Sequence, residues 1–270
     1  MLLLSRGGSM KNKNKKSIML FLFTALFVFL IVGFLFKYIN FYKISDRVGE
    51  VDSFSKKYDK YKTVGWLKVQ GTNIDYPIIY NAGNIDVNHI NDLNFLWTNI
   101  NEKELTNRML IVGHNIRNVS ANPIIGDANH VRFEQLLGYI YYDFVKDNKY
   151  IQYTINGKNY LYKIFSISFV DNNTIDYGKN SYSKKELDKY ITNSISDSYF
   201  KFDVDVNKDD NVITLLTCTR MFGNSVNKTF KIDARMVRDN EFITNYKVEE
   251  KSNYDEIKKI MEGRDSNEKA

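Results

Sequence analysis

The longest uninterrupted apolar stretch of the chain lies near its start. Residues 18–36 read IMLFLFTALFVFLIVGFLF and contain no charged side chain. A helix of this length spans roughly 28 Å, which is about the thickness of the hydrocarbon core of a bilayer. A buried core helix rarely lacks polar side chains for so long, and a cleaved signal peptide has a shorter apolar region that ends in small residues. The pattern therefore predicts an uncleaved single-pass anchor over residues 18–37.

The charge around this stretch predicts its orientation. The chain has 38 basic and 32 acidic residues, and six of the basic ones lie within residues 1–40, which hold no Asp or Glu. The remaining 32 basic residues therefore balance the 32 acidic ones. Basic residues before an apolar helix favour a cytoplasmic N-terminus, here residues 1–17, with the rest outside the cell membrane. A nucleic-acid-binding protein carries its excess positive charge on the folded domain, so no nucleic-acid partner is predicted.

Beyond the anchor, the pattern predicts a helical linker and then a series of strands. Residues 38–63 are polar, with apolar residues at irregular helical spacing. From residue 64 short apolar segments alternate with polar positions, as β-strands do. The predicted strands cover residues 64–70, 74–80, 108–114, 149–155, 159–170, 211–220 and 229–238. Asn156 and Gly157, between two of these segments, form a strong hairpin signal.

Two segments have the pattern of helices. Residues 133–140 predict a short helix, and residues 183–200 predict a long one. Ser183 can cap the long helix, and Glu186, three residues later, completes a capping box.

The order of these elements predicts the fold class. Strands follow one another without regular crossover helices, which favours a closed sheet over a doubly wound fold. We therefore expect a mostly β protein: a closed antiparallel or mixed barrel of about eight strands. N-terminal helices should precede it, and one long helix should come before the last two strands. The expected folded domain covers residues 64–248, followed by a charged tail over residues 249–270.

The chain has one cysteine, Cys218, at the end of an apolar strand. A single cysteine in an exported domain is either a small buried apolar residue or a reactive thiol. A reactive thiol needs a base or a positive charge beside it. His89 and His130 lie in polar, loop-like segments typical of surface histidines, whereas His114 ends an apolar strand. Cys218 and His114 are thus a candidate pair, although sequence alone shows no geometry.

Several local motifs resemble those of one family. Residues 214–218, TLLTC, resemble the TLxTC signature of sortases, the cysteine transpeptidases of Gram-positive cell surfaces. Residues 64–79, VGWLKVQGTNIDYPII, resemble the first two strands of class B sortases, and residues 110–115, LIVGHN, resemble the histidine strand. The helix predicted over residues 183–200 is similar to the extra helix of class B. These motifs occur in the family's order over roughly residues 60–240.

The resemblance implies a sortase-type barrel and a mechanism. Cys218 would attack the carbonyl of a threonine in a sorting signal near the C-terminus of a secreted protein, and His114 would protonate the departing amine. An amine of a peptidoglycan precursor would then resolve the acyl-enzyme. Class B enzymes suggest an Asn- or Ser-Pro-x-Thr signal and no metal or organic cofactor. The enzyme would act at the cell membrane, through its anchor.

Two positions depart from the family pattern. Sortases have a catalytic arginine at the start of the last strand, and in class B it lies ten residues or slightly fewer after the cysteine. Ten residues after Cys218 is Lys228, and counting back from Ala234-Arg235 reaches Thr229, so neither position is arginine. A lysine supplies charge without a planar, bidentate fork.

We favour Lys228 as the third catalytic residue, the alternative being a solvated Lys228 and a site that uses Arg220. Leu216 stands where class B often has serine. Leu216, Thr217 and Arg220 are predicted to contact substrate.

Two other functions fit the same residues. A cysteine peptidase would use the same nucleophile and release its product to water. A membrane-tethered peptide-binding module on the same fold would need no catalysis, and the missing arginine favours it. The presence of both Cys218 and His114 within their motifs argues against the second of these.

Overall fold

The chain divides at residue 44 into two units, Met1–Ile44 and Ser45–Ala270. The computed structural model describes residues 8–41, 44–81, 94–101, 104–115, 125–223 and 227–268. His89, predicted to be a surface histidine, lies outside the described residues. The first unit contains helix α1, Gly8–Phe41. Its segment Lys15–Gly33 is long and apolar enough to cross a membrane, a property that it shares with N-terminal signal sequences.

The second unit contains short helices and a β-barrel. Its helices are α2 (Val48–Lys57), α3 (Tyr142–Val145), α4 (Lys184–Asp197) and α5 (Tyr254–Glu268). Its strands are β1 (Thr63–Val69), β2 (Asp75–Tyr80), β3 (Leu96–Thr98), β4 (Arg108–Gly113), β5 (Tyr150–Ile155), β6 (Lys158–Asp171), β7 (Phe200–Phe202), β8 (Val212–Cys218), β9 (Lys228–Met236) and β10 (Val248–Glu250). Two 3₁₀ helices cover Leu136–Ile140 and Asn172–Thr174.

Among the described residues, eight strands close into a barrel in the order β1-β2-β3-β4-β8-β9-β6-β5. Strand β5 closes it by pairing with β1. The β2–β3 and β4–β8 pairs are parallel, and the other pairs are antiparallel. The predicted mostly β fold with a closed mixed sheet is therefore confirmed.

The predicted hairpin joins β5 and β6. Asn156 and Gly157 both have positive φ, at 50° and 69°, as a type I′ turn requires. This turn brings Ile155 opposite Lys158 and starts the long pairing of the two strands. Glycine takes up positive φ without steric cost, and asparagine does so more readily than other residues, which explains why this dipeptide encodes the turn.

Helix α4 covers one face of the barrel. Its capping box forms as predicted: the Ser183 side chain accepts a hydrogen bond from the Glu186 backbone, and the Glu186 carboxylate accepts one from the Ser183 backbone. Leu187 and Ile191 are buried against Phe165 and Val212, in strands β6 and β8. The helix is therefore fixed at its start by capping and along its length by apolar contacts.

Two predicted helices have different limits in the structure. Helix α4 ends at Asp197 rather than at residue 200, because Phe200–Phe202 pairs with β10 as a strand. The segment 133–140 is a 3₁₀ helix, and only over Leu136–Ile140. Helix α5 packs on the domain: Tyr254 donates a hydrogen bond of 2.7 Å to the Ile140 carbonyl. Its apolar face is buried at Tyr254, Ile257 and Met261.

A buried arginine ties β9 to the segment that follows it. Arg235 is 2% exposed, and its guanidinium donates to both carboxylate oxygens of Glu241, with an Nη2–Oε1 distance of 2.7 Å. Lys163 donates to the same carboxylate at 2.6 Å. The hydrogen bonds from Arg235 and Lys163 hold the pKa of Glu241 far below its usual range.

Replacing Glu241 by glutamine should destabilise the domain. The change leaves the buried Arg235 without its counter-charge, so the free energy of unfolding should fall by about 2 kcal/mol at pH 7. Because the folded-state pKa of Glu241 is depressed, its contribution is present above the ordinary pKa of about 4.3 and disappears as the pH falls through the folded-state value. Urea unfolding should show that parent and variant differ less in free energy of unfolding at pH 3–4 than at pH 7.

Glu249→Gln is the matched control, because Glu249 is a surface carboxylate paired with Lys247. Surface pairs contribute little to stability. The stabilising role of the Arg235–Glu241 pair would be contradicted if both variants lowered the free energy of unfolding equally. It would also be contradicted if the loss in Glu241→Gln did not change with pH.

Candidate active site

Two parallel strands place Cys218 beside His114. In the β4–β8 pair Gly113 lies opposite Thr217, so His114 and Cys218 are the next residue on each strand. Neighbouring strands lie about 4.8 Å apart, and alternate side chains share a face. Val112 and Leu216 pack on one side of this pair, in a cluster with Leu110 and Ile100. Two residues further on, His114 and Cys218 therefore extend from that same face.

Hydrogen bonds fix the ends of the two strands relative to each other. The Thr217 hydroxyl donates to the Gly113 carbonyl at 2.8 Å, and the Asn115 amide donates to the Cys218 carbonyl at 3.2 Å. The His114 ring lies against Trp97, with ring centroids 4.6 Å apart. Strands β4 and β8 are thus joined by hydrogen bonds on both sides of the Cys218–His114 pair.

The glycine before His114 is required by close packing. A Cβ atom at Gly113 would lie 2.5 Å from the ring of Phe133 and 2.7 Å from the side chain of Leu96. Both distances are far below van der Waals contact, so any larger residue would shift the strand that carries His114.

Cys218 and His114 open into the same cleft, which has a volume of about 710 Å³. The other residues that line it are Tyr80, Asn81, Trp97, Asn99, Val112, Gly113, Asn172 and Tyr177. Volumes of this order are typical of sites that enclose a ligand. The lining combines aromatic rings with amide side chains, which suits an extended peptide with apolar and hydrogen-bonding groups.

The electrostatics of the cleft favour a neutral thiol at rest. Cys218 reaches solvent, yet the protein atoms around its thiol exclude enough water to raise the pKa above its ordinary value. The positive charge of Arg220 acts in the opposite direction and lowers the pKa of Cys218, but burial outweighs it. Burial of the thiol therefore works against a resting thiolate at Cys218.

Comparison with known proteins shows what this chain is similar to. No protein-family model matches the chain. Sortase B of Staphylococcus aureus is 22% identical over 184 residues, which cover 65% of this chain and 70% of that protein. The X-ray structure of Clostridium perfringens sortase B is 23% identical with a TM-score of 0.52, over 69% of this chain and 99% of that one. The Staphylococcus aureus sortase B–substrate complex is 19% identical with a TM-score of 0.55, over 77% and 92% of the two chains.

The chain is class B sortase-like in fold and in sequence. The family resemblance drawn from the TLLTC and LIVGHN segments is confirmed. In this sortase-like domain those two segments are the ends of β8 and β4, side by side.

The strand register shows on which face of the sheet the remaining predicted residues of the sortase-like site lie. Thr229, not Lys228, lies opposite Cys218 in the β8–β9 pair. Residues opposite each other in a pair of strands share a face, so the Thr229 side chain lies on the same face as Cys218. Side chains alternate along a strand, so Lys228 belongs to the opposite face, and its partner on β6 is Asp171. Arg220 is exposed just beyond Cys218, and its charge reaches the thiol.

The other predicted side chains have structural contacts. Leu216 is buried in the cluster with Leu110, and the Thr217 hydroxyl donates its hydrogen bond to the Gly113 carbonyl. His130 lies 3.8 Å from the Asp127 carboxylate. The structure therefore brings together Cys218 and His114, with Arg220 nearby. Among the described residues that line the cleft, Arg220, Lys228, Leu216 and Thr217 do not appear.

Sequence reasoning missed Asn172, Tyr177 and Trp97. Tyr177 donates a hydrogen bond to the Asn172 side-chain oxygen, and the Thr229 hydroxyl donates to the same oxygen at 3.1 Å. Asn172 and Tyr177 lie in the connection between β6 and α4, more than 40 residues before Cys218. No local pattern marks them; the pairing of β6 with β9, and of β9 with β8, carries this connection to the end of β8.

The rate of alkylation of Cys218 should reveal the charge that acts on it. With iodoacetamide, the midpoint of the pH–rate profile should lie above the ordinary thiol pKa of about 8.5, because burial raises the pKa of Cys218. Arg220→Gln removes the charge that lowers this pKa, so the midpoint should move further up. The shift should shrink in 1 M salt, where the Debye length is about 3 Å.

Lys228→Gln is the matched control, since its charge lies on the other face of β9. It should leave the midpoint in place. A shift as large as that of Arg220→Gln would mean that the Lys228 charge reaches the thiol, and would support the prediction of Lys228 as the third catalytic residue.

Proposed function

We propose that the protein is a cysteine transpeptidase that acts on sorting signals of secreted proteins at the cell membrane. The observation that carries this proposal is the juxtaposition of Cys218 and His114 at the ends of two parallel strands, facing one cleft. Similarity to sortase B in fold and sequence supports the same reaction class.

The proposed reaction has two acyl transfers. The Cys218 sulfur attacks the threonine carbonyl of the signal while its proton passes to His114, which suits a thiol that is neutral at rest. The C–N bond then breaks, and His114 gives the proton to the departing amine. A second amine attacks the thioester carbonyl and loses a proton to His114. The C–S bond breaks as the product amide forms, and His114 returns the proton to the Cys218 sulfur.

The partners in this proposal follow from the resemblance and from the first helix. The substrate would be a secreted protein with an Asn- or Ser-Pro-x-Thr signal near its C-terminus, and the acceptor would be a peptidoglycan-precursor amine. Helix α1 would anchor the enzyme with its N-terminus in the cytoplasm, since Lys11, Lys13, Lys15 and Lys16 precede the apolar segment. The anchor would hold the domain where both substrates emerge.

One observation favours a second candidate, a peptide-binding module without catalysis. The residue opposite Cys218 is Thr229 rather than a cation. A hydrolytic variant, in which water replaces the acceptor amine, would use the same Cys218 and His114 and differ only in product.

Substitutions of the two central residues should separate these functions. With a fluorogenic Asn-Pro-x-Thr peptide and the full-length chain in detergent, Cys218→Ala should abolish cleavage. His114→Ala should lower kcat/KM by at least about 100-fold, as expected for a general acid–base residue. Addition of a small amine such as triglycine should convert the hydrolytic product into a ligated one.

His130→Ala serves as the histidine control, because it lies beside Asp127 and outside the cleft lining. Cleavage by Cys218→Ala above background would remove Cys218 as the nucleophile, and a loss below about tenfold in His114→Ala would make His114 a structural residue. A parent protein that binds the peptide without cleaving it would favour the binding module, and cleavage without ligation would favour the peptidase.

A further inference from the structure

Attack of a thiol on a carbonyl creates negative charge on the carbonyl oxygen. Donors fixed in place before the reaction stabilise that charge, and losing one such donor costs on the order of 100-fold or more in rate. In this domain the residue opposite Cys218 is the buried, neutral Thr229. Its hydroxyl already donates to Asn172, so Thr229 itself is not available as a donor to a substrate.

The side-chain amide of Asn172 is oriented by two hydrogen bonds. Its Oδ1 atom accepts from Thr229 Oγ1 at 3.1 Å and from the Tyr177 hydroxyl. A carbonyl oxygen has two lone pairs, so these bonds occupy both. The Nδ2 group, with two N–H donors, then points away from Thr229 and Tyr177. No described residue accepts a hydrogen bond from it, and Asn172 lines the same cleft as Cys218.

The backbone around Asn172 is also fixed. The Asn172 N–H donates to the Asn227 carbonyl at 3.1 Å, which ties it to the start of β9. The Asp171 carboxylate accepts from the Asn173 N–H at 2.9 Å and begins the 3₁₀ turn Asn172–Thr174. Asn172 is therefore held from both its backbone and its side chain before any substrate arrives.

Tyr177 keeps its role as a donor at neutral pH. Burial raises the pKa of Tyr177, and the nearby Cys218 raises it further once the thiolate forms. The phenol therefore remains protonated, and its hydrogen bond to Asn172 persists while Cys218 reacts.

We infer that Asn172 is the oxyanion donor of this site, with Thr229 and Tyr177 as positioning residues. As the Cys218 sulfur bonds to the carbonyl carbon, the π electrons move to the oxygen, which accepts a hydrogen bond from Asn172 Nδ2. When the oxygen's electrons return, the bond to the leaving group breaks and the thioester remains. The inference rests on the proposed role of Cys218 as nucleophile, and it adds a neutral amide where the family has an arginine.

Two reactions of Cys218 test the inference. p-Nitrophenyl acetate acylates the thiol through a tetrahedral oxyanion and releases p-nitrophenolate, whereas iodoacetamide alkylates it by displacement without any oxyanion. In the full-length chain in detergent, Asn172→Ala should slow acylation about 100-fold and leave alkylation within about twofold of the parent. Asn172→Asp keeps the shape but has no donor, and should slow acylation at least as much.

Asn173→Ala is the matched control, since Asn173 is an exposed neighbour in the same turn. It should react like the parent with both reagents. Tyr177→Phe and Thr229→Val each remove one bond to Asn172 Oδ1, and each should slow acylation by a smaller factor with alkylation unchanged.

Three results would overturn the inference. The first is an acylation rate within about threefold of the parent in both Asn172 variants, and the second is an equal fall in the rates of acylation and alkylation. The third is that the ester does not acylate Cys218 of the parent. Failure of the proposed function gives a different result. A parent that is acylated by the ester but inert toward sorting peptides would refute the proposed substrate, while the comparison of Asn172 variants on the ester would still decide the donor.

Discussion

The parallel register between β4 and β8 is the constraint on which the site depends. It sets Gly113 opposite Thr217, and His114 and Cys218 follow on the same face. A slip of one residue would turn one of the two side chains to the other face of the sheet. The register is fixed twice: by the apolar contacts of Leu110 and Leu216, and by the hydrogen bond from Thr217 to Gly113.

The same face of the barrel carries a buried ion pair further from the cleft. Lys231 and Asp233 follow Thr229 at two-residue intervals on β9, and their charged groups lie 2.9 Å apart. Asp233 also accepts hydrogen bonds from Tyr190 at 2.6 Å and from Thr214 at 2.7 Å. Because Tyr190 belongs to α4, this network attaches the helix to β8 and β9. Buried pairs of this kind persist where further hydrogen bonds compensate for the loss of water.

The sequence predicts those parts of the molecule that local patterns encode. Alternation marks the strands, Asn156-Gly157 the hairpin, and Ser183 with Glu186 the start of α4. Residue counting alone does not say which face of β9 carries the third member of the site. Lys228 is ten residues after Cys218, but the register decides which side chain faces the thiol, and that residue is Thr229. Asn172 could not be found at all, because only the pairing of β6 with β9, and of β9 with β8, brings it near Cys218.

Burial gives a physical reason for a neutral residue at position 229. Thr229 is 6% exposed, and Lys231, its neighbour on the same face of β9, is already paired with Asp233. An arginine at position 229 would bring a further positive charge into this buried face, and burying a charge is costly unless the charge is paired. A neutral threonine that orients the Asn172 amide avoids this cost and still directs donors into the cleft. Burial also raises the pKa of the Cys218 thiol, which favours a neutral thiol before the reaction. An oriented amide can then stabilise the negative charge that forms on the substrate without a counter-ion.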